Sequence, residues 1–251
     1  MKVLIIGAGP AGRMAAHAAA MAGAMFHIVA PDDGPHLLHG AQYLHEEIDG
    51  VDCGDPFDIE YIKLGTEEVY RQRVYEGVAD PPTSSWNSYS GVVPGYDLRR
   101  VYSRLRKMYP ITRMDPFDRS GLETMLDFST WDLVVFTGNR PAVMTGETYV
   151  STTIEASIST GVQGQNRIEY FGVDYPNVPL RSSLIEGHST MEWPDSQGAF
   201  LGRHRLVKPV RVENPDPLSE HPRLLLAGRM GKWDKNVLVH HVYEEVYGAC
   251  V

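Results

Sequence analysis

Two glycine turns in this 251-residue chain place backbone amides where an anion could be bound. Gly7-Ala8-Gly9-Pro10-Ala11-Gly12 fits G-x-G-x-x-G, with an apolar run at residues 3–6 before it, an alanine-rich stretch after it and a second apolar run, MFHIVA, at residues 25–30. In that setting the first glycine permits a tight turn, the second lets amides approach a pyrophosphate, and the third lets helix and strand pack closely. The helix N-terminus then faces the anion with its partial positive charge. Near the other end, Gly228-Arg229 follows the apolar run RLLLAG and precedes residues of helical character, a second turn of the same kind. The carboxylate expected to hold ribose hydroxyls would fall near Ala30, and the nearest are Asp32, the candidate, and Asp33. No arginine stands close to them in sequence, which disfavours a ribose 2′-phosphate and therefore NADP.

Other chemistries are less well supported. Ten histidines invite a metal reading, chiefly His240-His241 and His36, His39 and His45. Adjacent helical histidines point about 100° apart, and none has a partner at the H-E-x-x-H spacing, so no metal site is expected. There is no G-x-S-x-G elbow, and Cys53 and Cys250 form neither a C-x-x-C pair nor a flanked nucleophile. The loop TSSWNSYSG, with Trp86, Tyr89 and nearby Tyr96, is either a lid that stacks on a ligand or a packing plug.

The elements that must position these residues read as follows. Residues 3–6, a helix to about Ala22 closed by Gly23, and residues 25–30 make a βαβ opening. Residues 58–78 carry Ile59, Ile62, Val69, Tyr70 and Val74 at helical intervals, with Gly65 as a break. Asp97 is the N-cap of a helix whose stripe is Leu98, Val101, Tyr102, Leu105, Met108 and Tyr109, with Pro110 just beyond. DLVVFTG, ending at Gly138, is a buried strand, residues 149–191 are β-like, and the Pro-rich run to Pro222 reads as irregular. A last strand precedes a helix from about Lys235 to Tyr247.

Apolar content of 43% and charged content of 22% are those of a globular protein. A net charge of −9 argues against non-specific nucleic-acid binding, which needs a basic face. The opening apolar run is cut by glycines and suits neither a signal peptide nor a membrane span, so a cytoplasmic, reducing setting is expected. An oligomer is left open.

The opening GAGPAG, the central DLVVFTG and the closing LLAGRMGKWDKNV together resemble the FAD-binding pieces of the UDP-galactopyranose mutases and amine-oxidase-like flavoproteins. The resemblance implies FAD as cofactor, with Gly228, Arg229, Met230, Gly231 and Trp233 beside the dinucleotide and a helix opening at Asn236-Val237 toward the flavin. It implies a flavin-side role for Gly40, Ala41 and Gln42 and a polar role for His45. The segment VPLRSSLIEGHST is similar to a mutase segment but carries Ser183 where an arginine is expected and Arg181 two residues early, so Arg181 is the substitute candidate for catalysis alongside His45.

The expectation is an α/β chain: a Rossmann-like, three-layer FAD-binding domain with an inserted antiparallel sheet and a small helical segment. The boundaries are 1–57, 110–148 and 205–251 for the cofactor domain, 58–109 for the helical segment and 149–204 for the inserted β substrate region. The expected activity is that of an oxidoreductase, or a flavin-assisted transferase or isomerase, on a small polar or nucleotide-linked molecule. The alternatives are an NAD-dependent dehydrogenase, which leaves the Gly228-Arg229 turn unexplained, and a nucleotide-binding interaction protein without turnover.

Overall fold

The computed structural model describes all residues except 34–37, 39, 117, 129, 176 and 196–203, and for Phe128 the backbone only. The chain opens with β1 (Lys2–Ile6), α1 (Pro10–Met21) and β2 (Met25–Ala30), then β3 (Tyr43–Leu44), β4 (Phe57–Gly65) and α2 (Glu67–Val74). Next come β5 (Gly91–Asp97), α3 (Leu98–Met108), β6 (Thr112–Arg113), α4 (Arg119–Phe128) and β7 (Leu133–Phe136). A β-rich stretch supplies β8 (Thr148–Thr160), β9 (Arg167–Gly172), β10 (Arg181–Ile185), β11 (His188–Pro194) and β12 (His204–Glu213). The end is β13 (Leu224–Leu226), α5 (Gly228–Lys232) and α6 (Val239–Cys250).

A parallel sheet in the order β13-β7-β1-β2-β6 forms the centre of the first unit. Alternation along its strands sorts the core into two layers. Val3, Ile5, Leu133 and Val135 pack toward α1, α3 and α6, with Met14, Val101, Leu105, Val242 and Val246. Leu4, Ile6, Val134 and Phe136 pack the other way, against Leu122 and Leu126 of α4. The result is the expected three-layer α/β arrangement.

The second sheet has eight strands in the order β12-β8-β11-β10-β9-β4-β5-β3 and is antiparallel except where β4 meets β9. The structure departs from expectation in three places, two of them in this sheet. Residues 58–109 are only partly helical: α2 and the Asp97-capped α3 are there, but Ile59 and Tyr61 are buried on one face of β4, a period-2 pattern that the helical spacing concealed, and β5 pairs with it. The break at Gly65 is real, because a Cβ there would stand 2.0 Å from the Gly172 carbonyl oxygen, and Thr66 then caps α2. The run expected to be irregular holds β12, which pairs with β8 along its whole length, so residues 204–213 belong to this sheet and not to the cofactor domain. Third, the last helix starts at Val239, since the Asp234 side chain accepts from the Asn236 amide and turns residues 234–237 first.

The crossing from one sheet to the other is fastened by a buried ion pair. Arg140, just after β7, holds Glu147, just before β8, at 2.5 Å, with side-chain exposures of 9% and 0%. Arg140 also donates to the Lys232 carbonyl, and the Asp216 amide donates to Glu147. Burial pulls the Glu147 carboxyl up, but hydrogen bonds from Arg140, Tyr149 and the Asp216 amide outweigh it and hold the group below the usual range. No described helix is long and apolar enough to cross a membrane.

Breaking this pair strands a buried guanidinium, so Glu147→Ala should lower unfolding stability by roughly 3–5 kcal/mol in urea titrations. A carboxylate with a depressed folded value contributes its stability above its unfolded value, near 4.3, and loses it as pH falls through the folded value. The loss of wild-type stability between about pH 5 and 3 should therefore be shallower in Glu147→Ala, and parallel curves would remove the pair from the account.

Candidate functional site

Three strands of the parallel sheet, β1, β7 and β13, end side by side, and each continues into a glycine turn. The Thr137 amide donates to the Ile6 carbonyl and the Ala227 amide to the Phe136 carbonyl, 2.9 Å each, which levels the three ends. Gly7 takes φ +117°, and a Cβ on Gly12 would lie 1.9 Å from the Gly7 carbonyl oxygen, so protein packing alone demands both glycines. Gly228, at φ +73°, rests on Ala11 in the first turn of α1, and Gly231 rests on the Phe136 carbonyl. Gly138 stands over the Phe136 ring. The two turns far apart in sequence are thus one packed edge.

Gly9 differs from its neighbours. Its φ of −68° suits any residue, and a Cβ on it would meet no atom within 4 Å. Neither strain nor packing explains a glycine there, and the space beside it opens onto the N-terminus of α1, where Pro10 fills the first helical position. An anion drawn against Ala11 and Gly12 by the helix end would occupy that space.

Sequence reasoning missed the arginine above this loop. Tyr102, one turn along α3 from Arg99, donates its hydroxyl to the Ala8 carbonyl at 3.1 Å, so this face of α3 covers the loop. Arg99 gives one nitrogen to the Leu38 carbonyl, while its Nη1 is buried without a hydrogen-bond partner among the described residues. A buried guanidinium nitrogen without a partner among the described residues calls for an explanation, and an anion at the loop would supply one. The signal was in the sequence, as an arginine two residues past the N-cap Asp97.

At the tip of β2 the expectation needs correction. Two arginines do come near, Arg13 from α1 and Arg106 from α3, and both engage Asp33. The two guanidiniums share the single Asp33 carboxylate, so positive charge does stand at this tip, and Asp32 beside it is exposed. His36 and His39 lie outside the described residues, and no group of metal-ligating side chains forms among the described ones.

Gly40, Ala41 and Gln42 bridge the two sheets. The Gln42 carbonyl accepts from the Leu98 amide at the start of α3, Ala41 packs on the second core, and Gly40 is so close to Arg181 and Glu192 that a Cβ would stand 3.2 and 3.3 Å from them. His45 stacks on Tyr89 at 4.3 Å and meets His240, near the start of α6, edge-on at 5.8 Å. Burial and His240 lower its ring to about 4. Arg181 is not in contact with His45. It pairs at 2.5 Å with Glu192, which also holds Lys208 at 2.7 Å. Tyr43, edge-on to His45, shares a hydrogen bond between hydroxyls with Tyr61. Trp233, in a left-handed conformation, donates its indole N–H to the Val150 carbonyl and anchors the turn after α5 to β8. Met230 is half-buried on α5, whereas Asn236 and Val237 sit in the turn before α6 rather than on the helix. Trp86 is a buried plug against Tyr70, and of the aromatic loop only Tyr89 reaches His45.

The sequence matches no protein-family model and no curated protein. Solved structures match it along its whole length. A flavoprotein/dehydrogenase from Cytophaga hutchinsonii shares 12% identity at TM-score 0.56, over 100% of this chain and 77% of that one. An FAD-dependent oxidoreductase from Pseudomonas aeruginosa shares 11% at 0.50, over 99% and 89%. RebC, in a structure with bound 7-carboxy-K252c, shares 12% at 0.53, over 99% of this chain but only 60% of its own.

With a ring value near 4, His45 should be neutral throughout the physiological range, and its folded environment opposes protonation. A ring-proton NMR titration should place it well below the ordinary 6.5, with His240→Ala moving it upward; an ordinary titration midpoint would contradict the enclosed placement. The site therefore lies on a fold of the FAD-binding, Rossmann-like flavoprotein kind.

Proposed function

We propose that the chain is an FAD-dependent oxidoreductase acting on a small polar molecule. The observation that carries the reading is the space at Gly9, facing a helix N-terminus and lying under the Arg99 face of α3, at the edge where all three glycine turns meet. Gly7, Gly9, Pro10, Ala11 and Gly12, with Arg99, would hold the pyrophosphate, and Asp32, at the tip of β2, would face the ribose. Gly40, Ala41 and Gln42, with Gly138, Gly228 to Gly231, Trp233 and the Asn236-Val237 turn, would border the flavin half. The protein–cofactor fit follows the solved flavoproteins in fold, and the extended turn-to-turn site suits FAD better than a shorter dinucleotide.

Bound flavin would supply two-electron chemistry, taking up or releasing hydride. The chain's own residues then have simple tasks. His45, neutral and pinned between Tyr89, Tyr43 and His240, presents an uncharged ring nitrogen that can hydrogen-bond and orient a polar substrate group. The Tyr43–Tyr61 hydroxyl pair offers donors that stay protonated, because burial pushes both phenols far up. Tyr61, Tyr70, Trp86 and Tyr170 close the second core beneath them and keep water out. Arg181 is committed to Glu192. That commitment, together with Ser183 at the mutase arginine position, favours oxidoreduction over a sugar-nucleotide rearrangement.

Purified protein mixed with FAD and then desalted should keep the yellow flavin spectrum. Gly9→Ala should cost no more than about 1 kcal/mol of stability, since its geometry accepts a side chain, yet lower FAD affinity ~10-fold or more. A wild-type protein that stays colourless, or a Gly9→Ala protein that loads FAD normally, would overturn the proposal.

A further inference from the structure

We infer that Tyr89 is a gate over His45, carried on the segment Ser88 to Ser90 and hinged at Gly91, and that a substrate reaches the His45 ring when this gate opens. The inference deepens the oxidoreductase reading above, in which His45 orients a polar substrate group, and rests on it. Three rings stand around His45: Tyr89 stacked on it at 4.3 Å, Tyr43 edge-on at 4.7 Å and His240 edge-on at 5.8 Å. Two of them are fixed by regular structure. Tyr43 lies in β3, paired with Asp97 of β5, and its hydroxyl is hydrogen-bonded to that of Tyr61. His240 is buried in the first turn of α6. Of the three, Tyr89 alone is carried by a segment that belongs to no helix or strand.

The two ends of that segment differ. Before it, the single turn Ser85–Asn87 is fastened: Trp86 is buried against Tyr70, and Ser84 and Asn87 both donate to the Glu67 carboxylate, at 2.9 and 2.5 Å. After it, Gly91 opens β5 opposite Tyr61 with φ +71°, and a Cβ there would meet no atom within 4 Å. Packing does not ask for a glycine at this position, so the residue serves the backbone, letting the chain leave the sheet in the left-handed region at the foot of the gate. Between these ends, among the described residues, Ser88 to Ser90 make one backbone hydrogen bond, from the Ser88 amide to the Ser85 carbonyl at 3.3 Å. What holds the segment down is the Tyr89 ring itself, on His45 and, tilted, on Tyr61 at 5.5 Å. A segment with so little backbone pairing opens locally while the sheet beside it stays folded.

The ring is placed where opening matters. Ser88 and Ser90 are exposed, and Tyr89 and His45 are both half-buried, so lifting one ring brings solvent to the face of His45. On the far side His240 belongs to the helix that follows the Asn236-Val237 turn, assigned above to the flavin half. The opening therefore leads between the second sheet and the cofactor edge. Closed, the ring keeps water from His45; open, it leaves the imidazole free to meet a substrate.

The test is acylation of histidines by diethyl pyrocarbonate, followed residue by residue by mass spectrometry on the protein as purified, with exposed His27 as the internal reference. The reagent attacks a neutral imidazole nitrogen and so reports how often that nitrogen is reached. In the wild type His45 should react, but about tenfold more slowly than His27, the factor that one stacked ring is worth. Tyr89→Ala should raise the His45 rate by about the same factor, while Tyr89→Phe, which keeps the ring, should leave it unchanged. Melting curves would verify that both variants fold. A wild-type His45 that never reacts while His27 is consumed would make Tyr89 a fixed plug and overturn the inference. So would a His45 as reactive as His27, or a Tyr89→Ala rate equal to that of the wild type. FAD loading is read separately from the visible spectrum, and its absence would count against the oxidoreductase reading without altering the acylation result.

Discussion

The molecule depends on how closely its backbone approaches itself at one edge of the parallel sheet. Gly12 lies against the Gly7 carbonyl, Gly228 against Ala11 and Gly231 against the Phe136 carbonyl, contacts that a single added methyl group would turn into overlaps. They bring the first turn of α1, the end of β7 and the whole of α5 into one continuous surface. Without them the chain would have two nucleotide-like turns at opposite ends of its sequence and no common site. With them the turns from both ends of the sequence form one continuous edge, and Gly9 is the position in the loop where a Cβ would meet no atom within 4 Å.

The second sheet is the other wall. It is joined to the first by the buried Arg140–Glu147 pair and by the Trp233 hydrogen bond to Val150, both placed at the crossing between them. Within it, Glu192 is held ionised, near 2, because Arg181 and Lys208 outweigh the cost of its burial. Buried pairs of this sort contribute little net stability compared with apolar packing and more to fixing one arrangement. Here the arrangement they fix ties β10, β11 and β12 together, with Gly40 wedged against Arg181 and Glu192.

Much of the first wall was legible in the sequence. The glycine spacing and flanking strands identify the βαβ opening, and the strand before Gly228 is found where the sequence puts it, as β13 beside β7. The second wall was less so. Ile59, Tyr61 and Ile62 fit helical and strand periods equally over a short run, and only pairing with β9 and β5 decides. The Pro-rich run concealed β12, where Pro209 precedes a shift of register and is tolerated on an edge strand. Glu192 was overlooked although a local signal existed. Glu186-Gly187, both with positive φ, make a two-residue hairpin turn, and counting outward from it sets Arg181 opposite Glu192. The positions of Arg13 and Arg106 were not readable, because α1 and α3 meet the tip of β2 only after the core of Met14, Val101 and Leu105 has formed.

The central claim is that a single cofactor spans both glycine turns, with its two halves bound at opposite ends of one edge. The most direct measurement is a set of calorimetric titrations of the apoprotein with FAD, with ADP and FMN as its separate halves, and with NAD. The account predicts that FAD binds more tightly than either half, displaces both, and outcompetes NAD. NAD binding as tightly as FAD, or FMN binding that ADP-side contacts do not improve, would contradict it.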